Sequence, residues 1–546
     1  HCLGQRVPLR WRCNPGLKKR FQAVTRDIHF SAEAEASHRE GMILPTRLNH
    51  WRLVTPLESL AGAHPVDDII VKLPDPVIVE AITSHGWSAL PPTPHFPTHS
   101  LTLTIAHEPI QIAGLYYALV QFLSPVAGAS DRYHVVHYNP ETQTFDGLRE
   151  TVRLPEVVPD GDGIEPSTSR DLERSPLNAT GWYIHGAQAH DGEFVVQALR
   201  PRRLFQLCPD RTIASARQGR QYLRRESWAN LEQKKGTTES VLIDPKTPSK
   251  QAALALGRAL PIAQWQEGDQ ALLVHVYGGI GGENREPAAR GPVYFGHFAY
   301  GIATVAREPL TEELQFDIHY HQVYTHNRRG LVAGTLDWSK YMGDRQWGFL
   351  GTRPVSDILI KLPAYTEPFD FNGAAWAALN DLRIELELMT ARYRTGDGTG
   401  VTYVGPANNC AQDSNQAMYA SAAHLEAAVI AHRATLKVWK ADNPDQAQQF
   451  QQLLNLRRNL QQKLLPFGSA RADWANERES LGSNLSDFPL QTVGRGLLSW
   501  RTMLPRKASD TMTQLCLTHG ASLWVLRTNQ VGGYDPTIEP LAPITL

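Results

Sequence analysis

Cysteine is scarce in this sequence and follows no disulfide or zinc pattern. The 546 residues include five cysteines, and no two of them form a CxxC pair. They are Cys2, Cys13, Cys208, Cys410 and Cys516. An odd number of widely spaced thiols excludes a disulfide framework and a structural zinc site of the usual kind, and it favours a reducing compartment.

Long apolar runs and a surplus of charge are also missing. No run reaches the roughly 18 apolar residues that a membrane-spanning helix needs, so we expect a soluble chain without a transmembrane segment. The net charge of −1 provides no overall field that would attract nucleic acid, and we expect no nucleic-acid partner. Only the first twenty residues are strongly basic, with six arginines and lysines and no acid, which indicates a solvated arm or a juxtamembrane segment.

The order of strand-like and helix-like segments predicts an α+β fold with several domains. At roughly 100–200 residues per domain, the length indicates two or three of them. Strand-like segments separated by turn residues run through about 64–235 and again through 270–326. We predict an extension at 1–60, a β-rich domain at 61–240, a papain-like core at 241–440 and a helical and mixed region at 441–546.

A helical hairpin and an internal repeat complete the organisation. Apolar residues at helical spacing cover 411–440, and the pattern continues over 446–465 after the turn DNPD. HPVDDIIVKLPDP at 64–76 is echoed by RPVSDILIKLPAY at 353–365. The repeat is either a duplicated strand-and-loop element or a chance likeness of two buried strands, and in both cases it concerns architecture rather than chemistry.

Cys410 stands where a helix is predicted to begin. In VGPANNCAQDSNQ a Gly-Pro turn precedes it, and Asn408 or Asn409 can cap the helix that follows. The positive end of a helix favours thiolate over thiol, so Cys410 is the candidate nucleophile. Asn408, Asn409 or Gln412 would then stabilise the oxyanion of the reaction. The alternative is a buried structural cysteine, although the residues around Cys410 are polar or small.

His297 is the candidate base for this nucleophile. It lies in the middle of the predicted strand PVYFGHFAYGIATV, directly after a glycine. The next strand, FDIHYHQ, places Asp317, His319 and His321 on one face, where one of them would orient the His297 ring as the third member of a triad. The alternative is that His297 is a core histidine with its hydrogen bonds satisfied.

His319 and His321 also suggest a different chemistry. An H-x-H pair on one strand face has the spacing of metal ligands, and His326, Asp317 or His275 could complete such a site. A metal hydrolase is therefore an alternative to the thiol enzyme.

Two further segments carry less information about function. Glu312 and Glu313 resemble a catalytic acid pair, but adjacent glutamates after Pro309 are more typical of a turn. The glycine-rich segment 275–291 matches neither GxGxxG nor GxxxxGK[ST], so it predicts a flexible loop rather than a phosphate site. We expect no cofactor.

A histidine strand followed by a cysteine at a helix start resembles the circularly permuted papain-like hydrolases, the group around NlpC/P60 and lecithin retinol acyltransferase-like proteins. The resemblance covers roughly residues 270–430 and depends on His297 and Cys410. The whole chain also resembles a cyanobacterial family labelled "predicted Abi (CAAX) family protease". The segments that carry this likeness are GHFAYGIA, HQVYTHN, YMGDRQWGF, PVSDILIKLP and NNCAQDSNQA.

The resemblance implies a thiol hydrolase or protease that attacks an amide, ester or thioester bond of a peptide or acyl substrate. Cys410 would attack the carbonyl carbon, and His297 would act first as base and then as acid. The N-terminal β domain would recognise the substrate or a protein partner. The main alternative is a non-enzymatic assembly or binding protein with a relic site. Because the chain begins at His1, membrane association through a segment before it stays open.

Overall fold

The computed structural model describes most of residues 116–531. The described segments are 116–157, 169–189, 191–245, 265–278, 296–327, 330–345, 354–395, 409–464 and 504–531, together with four short strands nearer the N-terminus. Several predicted features lie outside the described residues. They are Asn408, the copy of the repeat at 64–76, most of the 1–60 extension and most of the loop at 275–291.

Three of the four N-terminal strands form a small sheet. In it β2 (Thr25–Phe30) pairs antiparallel with β1 (Arg6–Pro8) and parallel with β4 (Thr102–Ile105). The remaining strand, β3 (Met42–Ile43), pairs with one strand of the next unit.

Five strands between residues 116 and 201 close into a barrel. They are β5 (Tyr116–Pro125), β6 (Arg132–His137), β7 (Arg149–Arg153), β8 (Trp182–Ala189) and β9 (Phe194–Pro201). Strands β5 to β7 form an antiparallel meander, β7 pairs in parallel with β9, and β8 closes the barrel between β9 and β5. This closed order, with two 3₁₀ turns (Leu172–Arg174 and Pro176–Ala179) before β8, is that of an OB-type barrel.

An eight-stranded sheet forms the middle of the molecule. Its strands are β10 (Arg211–Ile213), β11 (Thr237–Ile243), β12 (Gln270–Gly278), β13 (Gly296–Arg307), β14 (Leu314–Asn327), β15 (Gly330–Asp337), β16 (Pro354–Lys361) and β19 (Ser522–Asn529). The order across the sheet is β10-β11-β19-β16-β12-β13-β14-β15, antiparallel except for β10 with β11. A separate hairpin joins β17 (Phe369–Phe371) to β18 (Ala374–Trp376).

The helices vary in length from one turn to six. The short ones are α1 (Arg202–Phe205), α2 (Ala216–Arg224), α3 (Leu231–Lys234), α4 (Trp338–Tyr341) and α5 (Pro363–Thr366), with a 3₁₀ turn at Glu226–Trp228. The long ones are α6 (Ala378–Thr395), α7 (Cys410–Ala431), α8 (Arg433–Asp442), α9 (Pro444–Leu464) and α10 (Pro505–Thr518). The predicted hairpin helices are confirmed, with the first interrupted at His432.

The middle sheet is covered on both faces, so the molecule has three layers. Side chains of alternate residues point to opposite faces of a strand. On β13, Phe298 and Tyr300 belong to a hydrophobic core shared with α6, α7, α9 and α10. Ala303 and Val305 of the same strand belong to a second core, shared with the barrel. We call these the helix side and the barrel side of the sheet.

The layers cross the predicted domain boundaries. The boundary at residue 240 falls inside β11, and β19, from the predicted C-terminal region, pairs with β11 and β16 near the centre of the sheet. The barrel and the barrel side of the middle sheet share a single hydrophobic core. The mixed α+β class holds, and the middle sheet is assembled from segments that lie far apart in the chain.

Candidate functional site

Cys410 is the first residue of α7, as the sequence predicts. The cap is Asn409, whose side-chain oxygen accepts hydrogen bonds from the backbone N–H groups of Ala411 (3.1 Å) and Gln412 (3.2 Å). The cap satisfies two of the N–H groups that a helix start leaves open. The Asn409 oxygen is therefore an acceptor for the helix, and it engages the backbone N–H of Gln412.

The Cys410 thiol is enclosed on the helix side of the sheet. Only 3% of the residue is exposed, and it packs in the core that contains Phe298 and Tyr300. Burial raises the pKa of Cys410 to about 12, and backbone hydrogen bonds, the largest from Phe298, offset only part of that rise. The nearby carboxylate of Asp413 contributes to the raised pKa. The expected thiolate is therefore replaced by a protonated thiol at neutral pH.

His297 lies on the other face of the same strand. It precedes Phe298, so strand alternation directs its ring to the barrel side. There the ring contacts His275 (5.7 Å between centroids) and Tyr277 (5.4 Å), and its Nε2 lies 2.6 Å from Oε1 of Gln322. The middle sheet thus separates the expected base from the expected nucleophile. In the described part of the chain, no hydrogen bond joins Cys410 to a histidine.

A buried hydrogen-bonded network surrounds His297 on the barrel side. His275 Nδ1 lies 2.6 Å from Asp357 Oδ1, the Tyr320 hydroxyl donates to Asp357 Oδ2 at 2.6 Å, and His275 Nε2 lies 3.2 Å from the Tyr341 hydroxyl. All four side chains are almost fully buried. The carboxylate orients the His275 ring as the acid of a triad does. Without an adjacent nucleophile in the described residues, the network acts as a satisfied polar core.

The three residues expected to orient His297 lie on the helix side with Cys410. His319 and Asp317 are exposed at its margin, with His319 Nε2 3.3 Å from Asp317 and its Nδ1 3.5 Å from Asp337. His321 is buried, and its Nδ1 lies 3.2 Å from the Thr335 hydroxyl. Burial lowers the pKa of His321 to about 3. None of them can orient His297 through the sheet.

The metal alternative gains no support from these positions. Both ring nitrogens of His319 face carboxylates, whereas His275 lies on the opposite face of the sheet. Across the described segments, no three His, Cys, Asp or Glu side chains are grouped so as to hold a metal ion. Glu313 is held by Arg202 through two hydrogen bonds, and Glu312 occupies a turn with φ of 57°.

An open pocket lies on the barrel, away from Cys410. It is a shallow, solvent-open concavity with a volume of about 550 Å³. Its walls are Gln121, Gln143, Thr144, Phe145, Ala179, Thr180, Arg202 and Gln206. Because Glu313 neutralises Arg202, the pocket offers mainly amides, hydroxyls and the ring of Phe145.

Comparisons with protein-family models, with curated proteins and with solved structures find no match to this chain. In the described part of the chain, no helix has both the length and the apolar character needed to span a bilayer.

Asp357, Tyr320 and Tyr341 were not predicted as polar partners of the middle strands. Asp357 lies in PVSDILIKLP, which the repeat marked only as architecture. A single acid inside an apolar strand was the available signal, because a buried carboxylate requires hydrogen-bond donors.

Proposed function

We propose that this chain is a non-enzymatic assembly or binding protein that keeps a relic of a thiol-hydrolase site. The observation that carries the proposal is the position of Cys410, a buried thiol with a raised pKa on the sheet face opposite His297. A thiol enzyme needs a thiolate and a base within hydrogen-bond reach of each other. This arrangement supplies neither requirement.

In this proposal, the feature that the chain keeps from a hydrolase is the order of its histidine strand and its cysteine helix. A histidine strand, β13, precedes a helix that begins at Cys410 and packs against that strand. This order supports kinship with a permuted papain-like core, the resemblance that the sequence suggests. In this proposal the imidazole has become part of the barrel-side core, and the cysteine fills space under α7.

The barrel supports a binding role. Its open pocket presents amide and hydroxyl groups around Phe145, which suits a neutral polar ligand or a partner's side chains. OB-type barrels serve widely as binding modules, an argument by analogy at the level of the fold. We therefore place recognition of a partner on the N-terminal β-rich part of the chain.

Alkylation by iodoacetamide near neutral pH, read cysteine by cysteine, tests this proposal. Cys208 is exposed and serves as the internal control, whereas Cys410 and Cys516 are buried with pKa values raised to about 12 by burial. We expect Cys208 to react in the folded protein, and Cys410 to react only after unfolding in urea.

The opposite result would restore the thiol enzyme. If folded protein alkylates at Cys410 faster than at Cys208, and Cys410→Ala removes that signal while the fold is retained, Cys410 is an activated nucleophile.

A further inference from the structure

Helix α2 and the first turn of α10 present a cluster of cations at the edge of the middle sheet. The cluster, which we call the basic face, consists of Arg217, Arg220, Arg224, Arg225, Arg506 and Lys507. On α2 the arginines at 217, 220 and 224 follow helical spacing, while Gly219, Tyr222 and Leu223 are buried beneath them. The helix therefore uses one side for the core and presents its charge on the other.

Direct contacts join the two helices into one surface. Arg506 Nη2 donates to the carbonyl oxygen of Leu223 at 3.2 Å, and the Arg506 guanidinium lies 3.6 Å above the Trp228 ring. Arg224 lies 3.9 Å from Asp510 of α10. The cations of both helices therefore contribute to one positively charged surface.

The local charge is far from that of the whole chain. Residues 211–228 and 504–510 contain seven arginines and lysines and two acids, whereas the whole chain carries −1. Glu226 is paired with Arg211 at 3.0 Å, and burial raises the pKa of Asp510. Asp510 also lies 3.9 Å from Arg224, and the two segments together keep a net charge of +5.

The cations also oppose the helix dipoles, because they lie at the positively charged N-terminal ends of α2 and α10. The first turns of α2 and α10 contain no acidic residue, and they hold Arg217 in one case and Arg506 with Lys507 in the other. Positive charge at a helix N-terminus is unfavourable for the helix itself. Helix stability therefore gives no reason for this arrangement, and it adds to the positive potential of the surface.

We propose that the basic face docks the protein reversibly on a membrane surface rich in anionic phospholipid. Clusters of four to eight Lys and Arg residues attract acidic headgroups. Leu504, 40% exposed, adjoins Arg506 and Lys507 and supplies an apolar side chain for the headgroup layer. The aromatic rings of the region, Tyr222 and Trp228, are buried, so the face has none for stacking with single-stranded nucleic acid. The inference holds whether or not the chain is catalytic.

Flotation of the full chain with phosphatidylcholine vesicles, with and without one third phosphatidylglycerol, tests the proposal. We expect binding only to the anionic vesicles, and we expect it to weaken at high salt. In the variant R217Q/R220Q we expect the affinity to fall roughly 30-fold. Each of the two charges raises the affinity for an anionic surface roughly fivefold. Neither arginine forms an ion pair with another described residue, so we expect the variant to keep the fold.

A matched variant removes the same charge elsewhere. Arg433 and Lys437 are exposed on α8, and R433Q/K437Q is expected to bind the anionic vesicles like the unmodified chain. The proposal is overturned if anionic vesicles are not bound, or if both double variants lose affinity equally. It is also overturned if a DNA duplex binds more tightly than the vesicles and R217Q/R220Q abolishes that binding, which would make nucleic acid the partner.

Discussion

At the scale of single residues, three histidines of the middle strands occupy three different environments. His275 is bound to the carboxylate of Asp357, and His297 is bound to the amide of Gln322. His321 is buried on the opposite face with only the Thr335 hydroxyl at its Nδ1. The same residue type on neighbouring strands therefore contributes differently to stability and chemistry.

His321 makes the stability of the fold depend on pH. Burial, together with the charges of His319 and Arg383, lowers its pKa to about 3. The unfolded chain binds this proton near pH 6.5 and the folded chain does not. The stabilisation is therefore complete above about pH 6.5 and is lost as the pH falls towards 3, by about 1.4 kcal/mol per pH unit.

We expect His321→Gln to remove about 1.4 kcal/mol per pH unit from the loss of stability in acid. The free energy of unfolding in urea, determined between pH 7 and pH 4, measures this change. His134→Gln is the control, because His134 is exposed on the barrel. A slope unchanged by His321→Gln would show that the ring is not excluded from water in the folded chain.

At the scale of elements, the start of α7 is stabilised by its cap rather than prepared for catalysis. Asn409 accepts two backbone hydrogen bonds, and a buried polar run follows from Gln412 to Gln416. Elsewhere on β13, Gly301 permits a close approach to β14. A Cβ at Gly301 would lie 2.3 Å from the carbonyl oxygen of His319, so only glycine fits there.

Asn409→Ala is expected to lower the free energy of unfolding by about 0.5–2 kcal/mol, since alanine cannot accept from the helix N–H groups. Asn409→Ser keeps an acceptor at this position and is expected to retain most of the stability. Urea unfolding of the two variants measures the difference. Equal stability of the alanine and serine variants would contradict the capping role.

At the scale of the whole molecule, local patterns predicted the elements but not their packing. The predicted strand around His297 is realised in β13, where His297 and Ala303 both face the barrel side. The helical spacing of 411–440 and 446–465 is realised in α7, α8 and α9. These features depend on neighbours within a few residues, which a single sequence displays.

The face that receives the cysteine helix could not be predicted in this way. It is set by the order of layers, with the barrel occupying one face of the sheet and the long helices the other. The insertion of β19 between β11 and β16 likewise depends on pairings between segments more than 150 residues apart in the chain. Local periodicity carries no information on such contacts, so the sequence alone is compatible with a Cys–His pair.

The most direct test of the account is the protonation of Cys410, followed by the ¹³Cβ chemical shift of labelled cysteine from pH 5 to pH 9. The signal is assigned by its loss in Cys410→Ser. Because burial raises the pKa of Cys410 to about 12, we predict a thiol shift that does not change over this range. A titration to the thiolate with its midpoint at or below pH 8 would contradict the buried, protonated sulfur from which the function was inferred.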